Sequence, residues 1–354
     1  MNELKFERSR HEFPAANVAR TLRNLEALMV RNSNIIASRG WYLYESSDDG
    51  KSWRKRPLGL GCMSRLRATS PLSRRLFRTM VGGMYQSCSN GAYYWIADGV
   101  LFKSVNGLKP KPIWAVENGR RPLSQGICFA RDSILIGEYW TNPERREVRI
   151  HQIDAYTDAH SVFHEFPAGS IRHVHAVQVD PFTSEIWIAT GDEDHECQVG
   201  ILEDGSVSVI GQGSQDWRVV GLAFTKDAVY WGTDDPYRNN VIYRWDRRTR
   251  SRTVIGQTIG PVYYAVTNGR YIVFSTAVEM GRGYHDGFAR IYAYDTVTTR
   301  FGEVYRAKKD MWSPKYFGYG VIEFARQRIP FESFWAVLRG LRGGTRSIEL
   351  RLST

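Results

Sequence analysis

Residues 219–255 read VVGLAFTKDAVYWGTDDPYRNNVIYRWDRRTRSRTVI and contain four short runs rich in branched and aromatic side chains. The runs are Val219–Thr225, Ala228–Thr233, Val241–Trp245 and Arg252–Ile255, and turn residues separate them. Branched and aromatic side chains favour β-strands. Four short strands with turns between them are typical of one blade of a β-propeller. This stretch therefore predicts both the secondary structure and the repeat from which the fold is built.

Similar units recur along the chain with a period of about 40 to 50 residues, which is the spacing of propeller blades. The predicted blades cover residues 25–57, 80–117, 125–166, 172–210, 218–255, 261–305 and 319–352. The last unit is one strand short, whereas Leu4–Ser9 is a spare β-like segment. Pairing the two would remove an open sheet edge. The sequence thus predicts an all-β, seven-bladed propeller of four-stranded antiparallel blades, formed by residues 1–354 as one domain and closed by an N-terminal strand.

Two segments depart from this pattern. Asn17–Val30 carries apolar residues at helical spacing, which predicts a short helix before the first blade. Residues 58–79 are rich in arginine and are expected to form a basic insertion between the first two blades. No acidic residue occurs between Gly50 and Ala97, so much of the excess positive charge lies there.

Composition limits the classes of function. The 354 residues are 42% hydrophobic and carry a formal net charge of +11. Such a charge favours an anionic partner, namely an acidic glycan, a phosphate, a nucleic acid or a membrane surface. Among these partners an acidic carbohydrate is preferred to nucleic acid. Residues 51–78 can serve as a peripheral contact with an anionic membrane, or simply as a solvated basic surface.

Several motifs and segments that would indicate other classes of protein are absent from the sequence. The four cysteines form no C-x-x-C pair, so neither a zinc site nor a disulfide framework is indicated. There is no signal-peptide pattern and no apolar run of transmembrane length, and we expect a cytoplasmic protein that is a monomer or a weak oligomer. No P-loop, dinucleotide fingerprint, G-x-S-x-G or H-E-x-x-H motif is present.

One motif resembles a known family. The run Ser46-Ser47-Asp48-Asp49-Gly50-Lys51-Ser52-Trp53 is similar to an Asp box, the S-x-D-x-G-x-T/S-W turn of BNR-repeat propellers. In such a turn an aspartate accepts hydrogen bonds from amides and a glycine permits a positive φ. The resemblance implies a sialidase-like β-propeller superfamily and a glycan-directed function. The F-R-I-P signature of sialidases is absent and seven blades exceed the six of a sialidase, so no catalytic role is transferred.

Loops that join the second and third strands of each blade share one face with the connections between blades. The residues predicted to be catalytic at this rim are His173, His175, Asp192, Glu138, Asp234 and Glu279. His173 and His175 are two apart on a predicted inner strand, so their side chains point the same way. With His195 they can bind one divalent metal ion, or they can act as acid and base. The structural alternative is a pair of buried histidines that hydrogen-bond between blades.

The same rim supplies residues that can recognise a substrate. The predicted binding residues are Tyr139, Asn142, Arg172, Arg218, Trp217, Asp235, Arg238, Lys309 and Trp312. Arginines can form paired hydrogen bonds with a carboxylate, and aromatic rings provide platforms for sugars. Paired carboxylates, one with a raised pKa, are what a glycosidase requires.

The resulting prediction is a carbohydrate-active enzyme that acts on an acidic poly- or oligosaccharide, either as a glycoside hydrolase or as a polysaccharide lyase. The H-x-H spacing of His173 and His175 resembles that of cytoplasmic seven-bladed oligouronide lyases, which use such histidines as metal ligands. The alternative, from another class, is a non-catalytic propeller that binds a glycan, a polyanion or a protein as a scaffold.

Overall fold

A computed structural model describes residues 13–87, 90–105, 107, 109–119, 122–279 and 286–352. The strands form seven antiparallel sheets arranged as the blades of a propeller, so the predicted fold class is confirmed. Within the described ranges, every helix is too short or too polar to span a bilayer.

The strands of each blade are given from the innermost to the outermost. Blade 1 contains Glu26–Arg31, Asn34–Arg39, Tyr42–Ser46 and Arg54–Pro57. Blade 2 contains Val81–Gln86, Tyr93–Ala97, Val100–Ser104 and Lys111–Ala115. Blade 3 contains Ile127–Ala130, Ser133–Gly137, Val148–Asp154 and His160–Phe166. Blade 4 contains His173–Val179, Ile186–Gly191, Gln198–Glu203 and Ser206–Gln212.

The remaining three blades complete the ring. Blade 5 contains Val219–Phe224, Ala228–Thr233, Asn240–Asp246 and Ser251–Thr258. Blade 6 contains Val262–Thr267, Tyr271–Thr276, Phe288–Asp295 and Phe301–Lys308. Blade 7 contains Val321–Phe324, Phe334–Arg339, Arg346–Arg351 and, as its outer strand, Asn17–Arg23.

Ring closure uses a strand from near the N-terminus, but a different segment from the one predicted. Asn17–Arg23 pairs antiparallel with Arg346–Arg351, whereas Leu4–Ser9 lies outside the described residues. A second contact supports the closure, because Arg326–Gln327 runs parallel to the inner strand of blade 1. The first and last blades are thus joined both through the outer strand of blade 7 and beside the central channel.

The helix predicted over Asn17–Val30 is wrong. The segment forms two strands, Asn17–Arg23 and Glu26–Arg31, with a turn at Asn24, whose φ is +58°. The inner strand is buried along nearly its whole length. Such a strand has apolar residues at successive positions, and a short apolar run of this kind cannot be distinguished from a helix by periodicity.

The helices lie in the connections between blades. Cys62–Arg67 and Pro71–Phe77 lie between blades 1 and 2, and Pro314–Phe317 lies between blades 6 and 7. Short 3₁₀ turns at Ser124–Gly126, Asp194–Glu196 and Gln215–Trp217 occupy other rim positions. Connections between blades share the face formed by the loops between second and third strands, because successive strands alternate in direction. All these helices therefore lie on the predicted functional face.

The core consists of separate apolar layers between neighbouring blades. Trp187 and Trp231 are both completely buried in the layer between blades 4 and 5. Glycines on second strands permit the close approach of the next blade. A Cβ at Gly137 would lie 2.5 Å from Val174, and one at Gly232 would lie 2.5 Å from Val262. This packing fixes the inner strands, on which the rim side chains are carried.

Candidate functional site

The site begins on the inner strand of blade 4. His173 is its first residue, and His175 lies in a β-bulge where the pairing register shifts between Val174 and Ala176. Bulges at sheet rims commonly re-aim a side chain. Both imidazoles are buried, and their ring centroids are 4.9 Å apart.

Each imidazole is fixed by a carbonyl of a neighbouring blade. His173 Nδ1 lies 2.9 Å from the carbonyl oxygen of Trp140, and His175 Nδ1 lies 3.2 Å from that of Val219. A carbonyl oxygen can only accept a hydrogen bond, so each Nδ1 must carry a proton and donate it. The structural alternative of hydrogen bonds between blades is therefore present, but it involves only one nitrogen of each ring.

The other two nitrogens face one another. His173 Nε2 and His175 Nε2 are 3.0 Å apart, and Asp192 Oδ1 lies 3.5 Å from each of them. With Nδ1 protonated, a neutral imidazole presents a lone pair at Nε2. Three electron-pair donors therefore converge on one point and repel one another unless a cation, either a proton or a metal ion, lies between them.

The ionisation of these groups fits a cation site. Burial lowers the pKa of His175 to about 4, even though the hydrogen bond that the protonated ring would donate to Asp192 acts in the opposite direction. Burial alone would raise the pKa of Asp192, but its interactions with His173 and His175 lower it well below its usual range. Among the described residues, these three form the one group of His, Cys, Asp or Glu side chains able to bind a metal ion together.

Asp192 is oriented by a surrounding set of contacts. Its carboxylate accepts hydrogen bonds from Arg172 Nη1 at 2.9 Å and pairs with Arg218 Nη2 at 3.0 Å. Its backbone amide donates to Glu196 Oε2 at 3.2 Å, and the buried Glu196 carboxylate is paired in turn with Arg145. Fixed orienting partners of this kind are typical around metal ligands.

A second acidic group lies across Arg218 from this cluster. Arg218 Nε donates to Asp234 Oδ2 at 3.1 Å, while the buried Oδ1 of Asp234 has no hydrogen-bond partner among the described residues. Burial, reinforced by the charge of Asp192, raises the pKa of Asp234 to about 6. Burial and the charge of Asp234 raise the pKa of Glu279 to about 8. Beside the histidine–aspartate cluster there are thus two carboxyls with raised pKa values, of which Asp234 is mostly ionised and Glu279 mostly protonated at neutral pH.

Two tyrosines complete the described part of the site. The Tyr139 ring centroid lies 4.3 Å from that of His173, and burial with the nearby Asp192 charge raises the pKa of Tyr139. Tyr319, between blades 6 and 7, has a pKa raised by burial and by the charge of Glu279. Both phenols are therefore neutral hydrogen-bonding groups close to the acidic side chains.

Other predicted residues occupy different surroundings. Glu138 accepts hydrogen bonds from Asn118 Nδ2 and the Arg149 amide, both at 3.0 Å, and lies 3.3 Å from His151 Nε2. Burial alone would raise the pKa of Glu138, but the hydrogen bonds with His151, Asn118 and the Arg149 amide lower it. The completely buried Asn142 binds backbone groups of its own loop and of Arg172. The structure does not bring Glu138 into the cluster of His173.

The blade 5 loop residues form a separate group. Asp235 is buried and caps its own loop, accepting a hydrogen bond from Tyr237 N at 2.7 Å and another from the exposed Arg238, also at 2.7 Å. Trp217 packs between the ring of Trp231 and the guanidinium of Arg252. These contacts order the loop that carries Asp234.

The remaining predicted residues lie farther out on the rim. His195 is largely exposed and lies 4.0 Å from Glu196, outside the candidate metal site of His173, His175 and Asp192. Lys309 donates to the Trp312 carbonyl at 2.8 Å and pairs with Asp310, and the Trp312 ring is exposed. No observation assigns a role to these side chains, and their predicted roles stay predictions.

Sequence reasoning did not identify Tyr319 or Arg145. Tyr319 lies two residues before an inner strand, and Arg172 and Arg218 lie one residue before theirs, so its position between blades was a usable signal. Arg145 lies in a long loop, and only the three-dimensional structure shows that it reaches Glu196.

Comparisons with known proteins support the architecture. No protein-family profile matches the sequence, and no curated protein matches it significantly. An oligogalacturonate lyase from Vibrio parahaemolyticus has a similar structure, with a TM-score of 0.59, 11% identity, and 94% of this chain and 91% of the other covered. An oligogalacturonate lyase in complex with manganese superimposes with a TM-score of 0.60 and 12% identity, and the match covers 94% of this chain and 90% of the other. The WD40 propeller domain of Doa1 superimposes with a TM-score of 0.54 and 10% identity, and the match covers 98% of both chains. At these identities the likeness shows the fold alone.

Proposed function

We propose that the chain binds a divalent metal ion at His173, His175 and Asp192 and cleaves an acidic oligosaccharide by β-elimination. The observation that carries the proposal is the convergence of the Nε2 atoms of His173 and His175 and a carboxylate oxygen of Asp192 on one point, all within 4.8 Å of one another. Imidazole and carboxylate are common ligands of Mn²⁺, Zn²⁺ and Fe²⁺. Three protein ligands would leave coordination positions for a substrate.

The neighbouring side chains fit the proton transfers of an elimination. When bound, the metal ion would neutralise a uronate carboxylate and so acidify the adjacent C–H bond. Breaking that C–H bond requires a group that accepts the proton, and breaking the C–O bond requires one that protonates the leaving oxygen. The ionised form of Asp234 is suited to the first task, and the protonated form of Glu279 to the second. Arg218 orients Asp234 and links it to Asp192.

Elimination is favoured over hydrolysis by the position of the carboxyl pair. Most retaining and inverting glycosidases need two carboxylates and a water molecule, and no metal ion. Here the carboxyl pair is adjacent to a cation site, as a reaction next to a substrate carboxylate would require. The proposal also accords with the lyase activity named for two solved propellers of similar structure, one of them described with manganese.

The test is an assay with Mn²⁺ and a panel of acidic oligosaccharides, including oligogalacturonides. We expect ultraviolet absorbance from an unsaturated uronide product, with about a hundredfold or greater loss of turnover in Asp234→Asn and Glu279→Gln. Asp204→Asn, on a hairpin of the opposite face, is the matched control and keeps wild-type turnover. New reducing ends without absorbance would indicate a hydrolase instead, and no cleavage of any glycan would favour the non-catalytic scaffold.

We also propose kinship with Asp-box propellers, on the basis of the turn between the last two strands of blade 1. Asp48 Oδ1 accepts hydrogen bonds from Ser46 Oγ at 2.7 Å and from Ser52 N at 2.9 Å. Trp53 Nε1 donates to the Gly50 carbonyl at 3.0 Å. If this turn stabilises the blade, Asp48→Ala lowers the melting temperature; an unchanged value would remove this support.

A further inference from the structure

Exposed apolar side chains are concentrated in two connections on the functional face. Of the large apolar residues that are exposed in the described part of the chain, eight lie within residues 61–78 and 311–319. They are Met63, Leu66, Leu76, Phe77, Met311, Trp312, Tyr316 and Tyr319. Met63 is 63% exposed, Leu66 65% and Met311 91%. A contiguous apolar surface of this kind marks an interaction site more often than isolated exposed residues do.

The two connections form one surface, which we name the helical rim and define as residues 61–78 and 311–319. Arg75 Nε donates to the Phe317 carbonyl at 2.9 Å, and its guanidinium pairs with Asp310. This contact joins the helix Pro71–Phe77 to the helix Pro314–Phe317. Tyr319 lies both in the helical rim and within electrostatic reach of Glu279. The helical rim therefore borders the candidate site.

The charge of the helical rim is entirely positive. Neither of its segments contains an aspartate or a glutamate. Arg74 and Arg75 are buried, and they pair with Glu26 and Asp310. The cations that remain exposed are Arg65, Arg67, Arg78 and Lys315. These exposed cations therefore lie in the same short segments as the exposed apolar side chains.

We propose that the helical rim is a docking surface for an anionic lipid bilayer. Short helices and flanking residues that expose Met, Leu, Trp and Tyr beside Arg and Lys have the chemistry of the membrane interface. There, apolar side chains enter the acyl boundary and cations meet the headgroups. A soluble acidic polymer would use the cations but would leave Met63, Leu66 and Met311 exposed to water. This inference does not depend on the proposed lyase activity.

The experiment is co-sedimentation with phosphatidylcholine vesicles, prepared with and without phosphatidylglycerol. We expect binding only to the vesicles that contain phosphatidylglycerol, and weaker binding as salt is added, because exposed charges are screened. Met63→Gln combined with Leu66→Gln lowers the partition coefficient by about tenfold or more, since two apolar side chains no longer leave water. Arg67→Gln combined with Lys315→Gln lowers it by about fivefold for each cation.

Matched controls lie on the opposite face of the ring, in turns between third and outer strands. Val297→Gln replaces a side chain that is 74% exposed, and Arg248→Gln combined with Arg300→Gln removes two exposed charges. Both controls retain wild-type binding. Absence of binding to either vesicle overturns the proposal. Binding that survives Met63→Gln with Leu66→Gln also overturns it and assigns the helical rim to a soluble polyanion.

A label at Cys62 gives a second measurement. Cys62 is an exposed, free thiol at the start of the first helix of the helical rim, whereas Cys128 and Cys197 are buried. An environment-sensitive fluorophore on Cys62, in a Cys88→Ser background, is expected to shift to the blue when vesicles are added. The same fluorophore at Val297→Cys, in a chain that lacks Cys62, does not shift. A monomer–dimer equilibrium abolished by Leu66→Gln would instead identify a second copy as the partner.

Discussion

The decisive test of the site is the effect of a divalent metal ion on unfolding. A ligand that binds only the folded state at one hundred times its Kd raises the unfolding free energy by about 2.7 kcal/mol. The unfolding entropy of a chain of 354 residues is about 0.7 kcal/mol per kelvin, from about 2.1 cal/mol per kelvin for each residue. The melting temperature should therefore rise by about 4 °C when Mn²⁺ is added to chelator-treated protein.

Asp192→Asn is the corresponding perturbation, because it removes one ligand while preserving the size of the side chain. Loss of a charged ligand should weaken metal affinity by about a hundredfold or more, beyond the effect of a typical orienting partner. At the same metal concentration the stabilisation falls to about 0.4 kcal/mol, which corresponds to a shift below about 1 °C. Scanning calorimetry or dye-based melting measures both shifts.

The result that would refute this reasoning is a comparable shift in wild type and in Asp192→Asn. Asp204→Asn makes the same chemical change on the opposite face and should respond to Mn²⁺ as wild type does. If Mn²⁺, Zn²⁺ and Fe²⁺ all leave the wild-type melting temperature unchanged, the cation between the two Nε2 atoms is a proton and the metal proposal fails.

Three further predictions concern packing, pH and ring closure. Gly232→Ala places a methyl group against the neighbouring blade and should lower the unfolding free energy by about 1–3 kcal/mol in denaturant titrations, whereas Gly61→Ala, with no neighbour within 4 Å, should not. Because the folded pKa of Glu279 is about 8 and its ordinary value is 4.5, its ionisation destabilises the fold, and stability is lost as pH rises through this window. In metal-free protein, Glu279→Gln should reduce that loss to the part caused by the ionisation of Asp234, whose pKa is raised to about 6. Stability profiles of wild type and Glu279→Gln that run parallel from pH 4.5 to 8 would contradict the prediction. Arg339→Met removes a buried cation, leaving the buried Glu26 with Arg74 alone and taking the Arg339 partner from the partly buried Glu323, and should cost about 3–5 kcal/mol in denaturant titrations. The exposed Arg351→Met should cost at most about 1 kcal/mol, and equal losses would refute the prediction.

Much of the architecture could be predicted from the sequence, because each blade is a local unit. Turn residues separate its strands, and an outer strand such as Ser251–Thr258 tends to alternate between more and less exposed positions. The inner strands were harder to recognise, since Glu26–Arg31 is buried along nearly its whole length and lacks that alternation. The error over Asn17–Val30 arose there, and the pairing of Asn17–Arg23 with Arg346–Arg351 is a contact between distant parts of the chain.

The site was predictable only in part, because its geometry depends on relations between blades. The H-x-H pattern indicated that His173 and His175 face the same way, and their Nε2 atoms do meet. The carbonyls that fix their tautomers belong to other blades and have no signature in the sequence. Glu138 and Glu279 occupy equivalent loops, yet Glu138 is held by Asn118 and His151. Equivalent loop position therefore did not predict equivalent surroundings.

The pairing of Asn17–Arg23 with Arg346–Arg351 has a consequence for the order of folding. During synthesis, each of blades 1 to 6 can form once its own strands have emerged, because its contacts are local. The seventh cannot, since its outer strand is made first and its partner strand last. Asn17–Arg23 must therefore remain unpaired until translation has passed residue 351. Closure of a loop of this length slows the final step, and the unclosed ring is the species that chaperones and proteases would encounter.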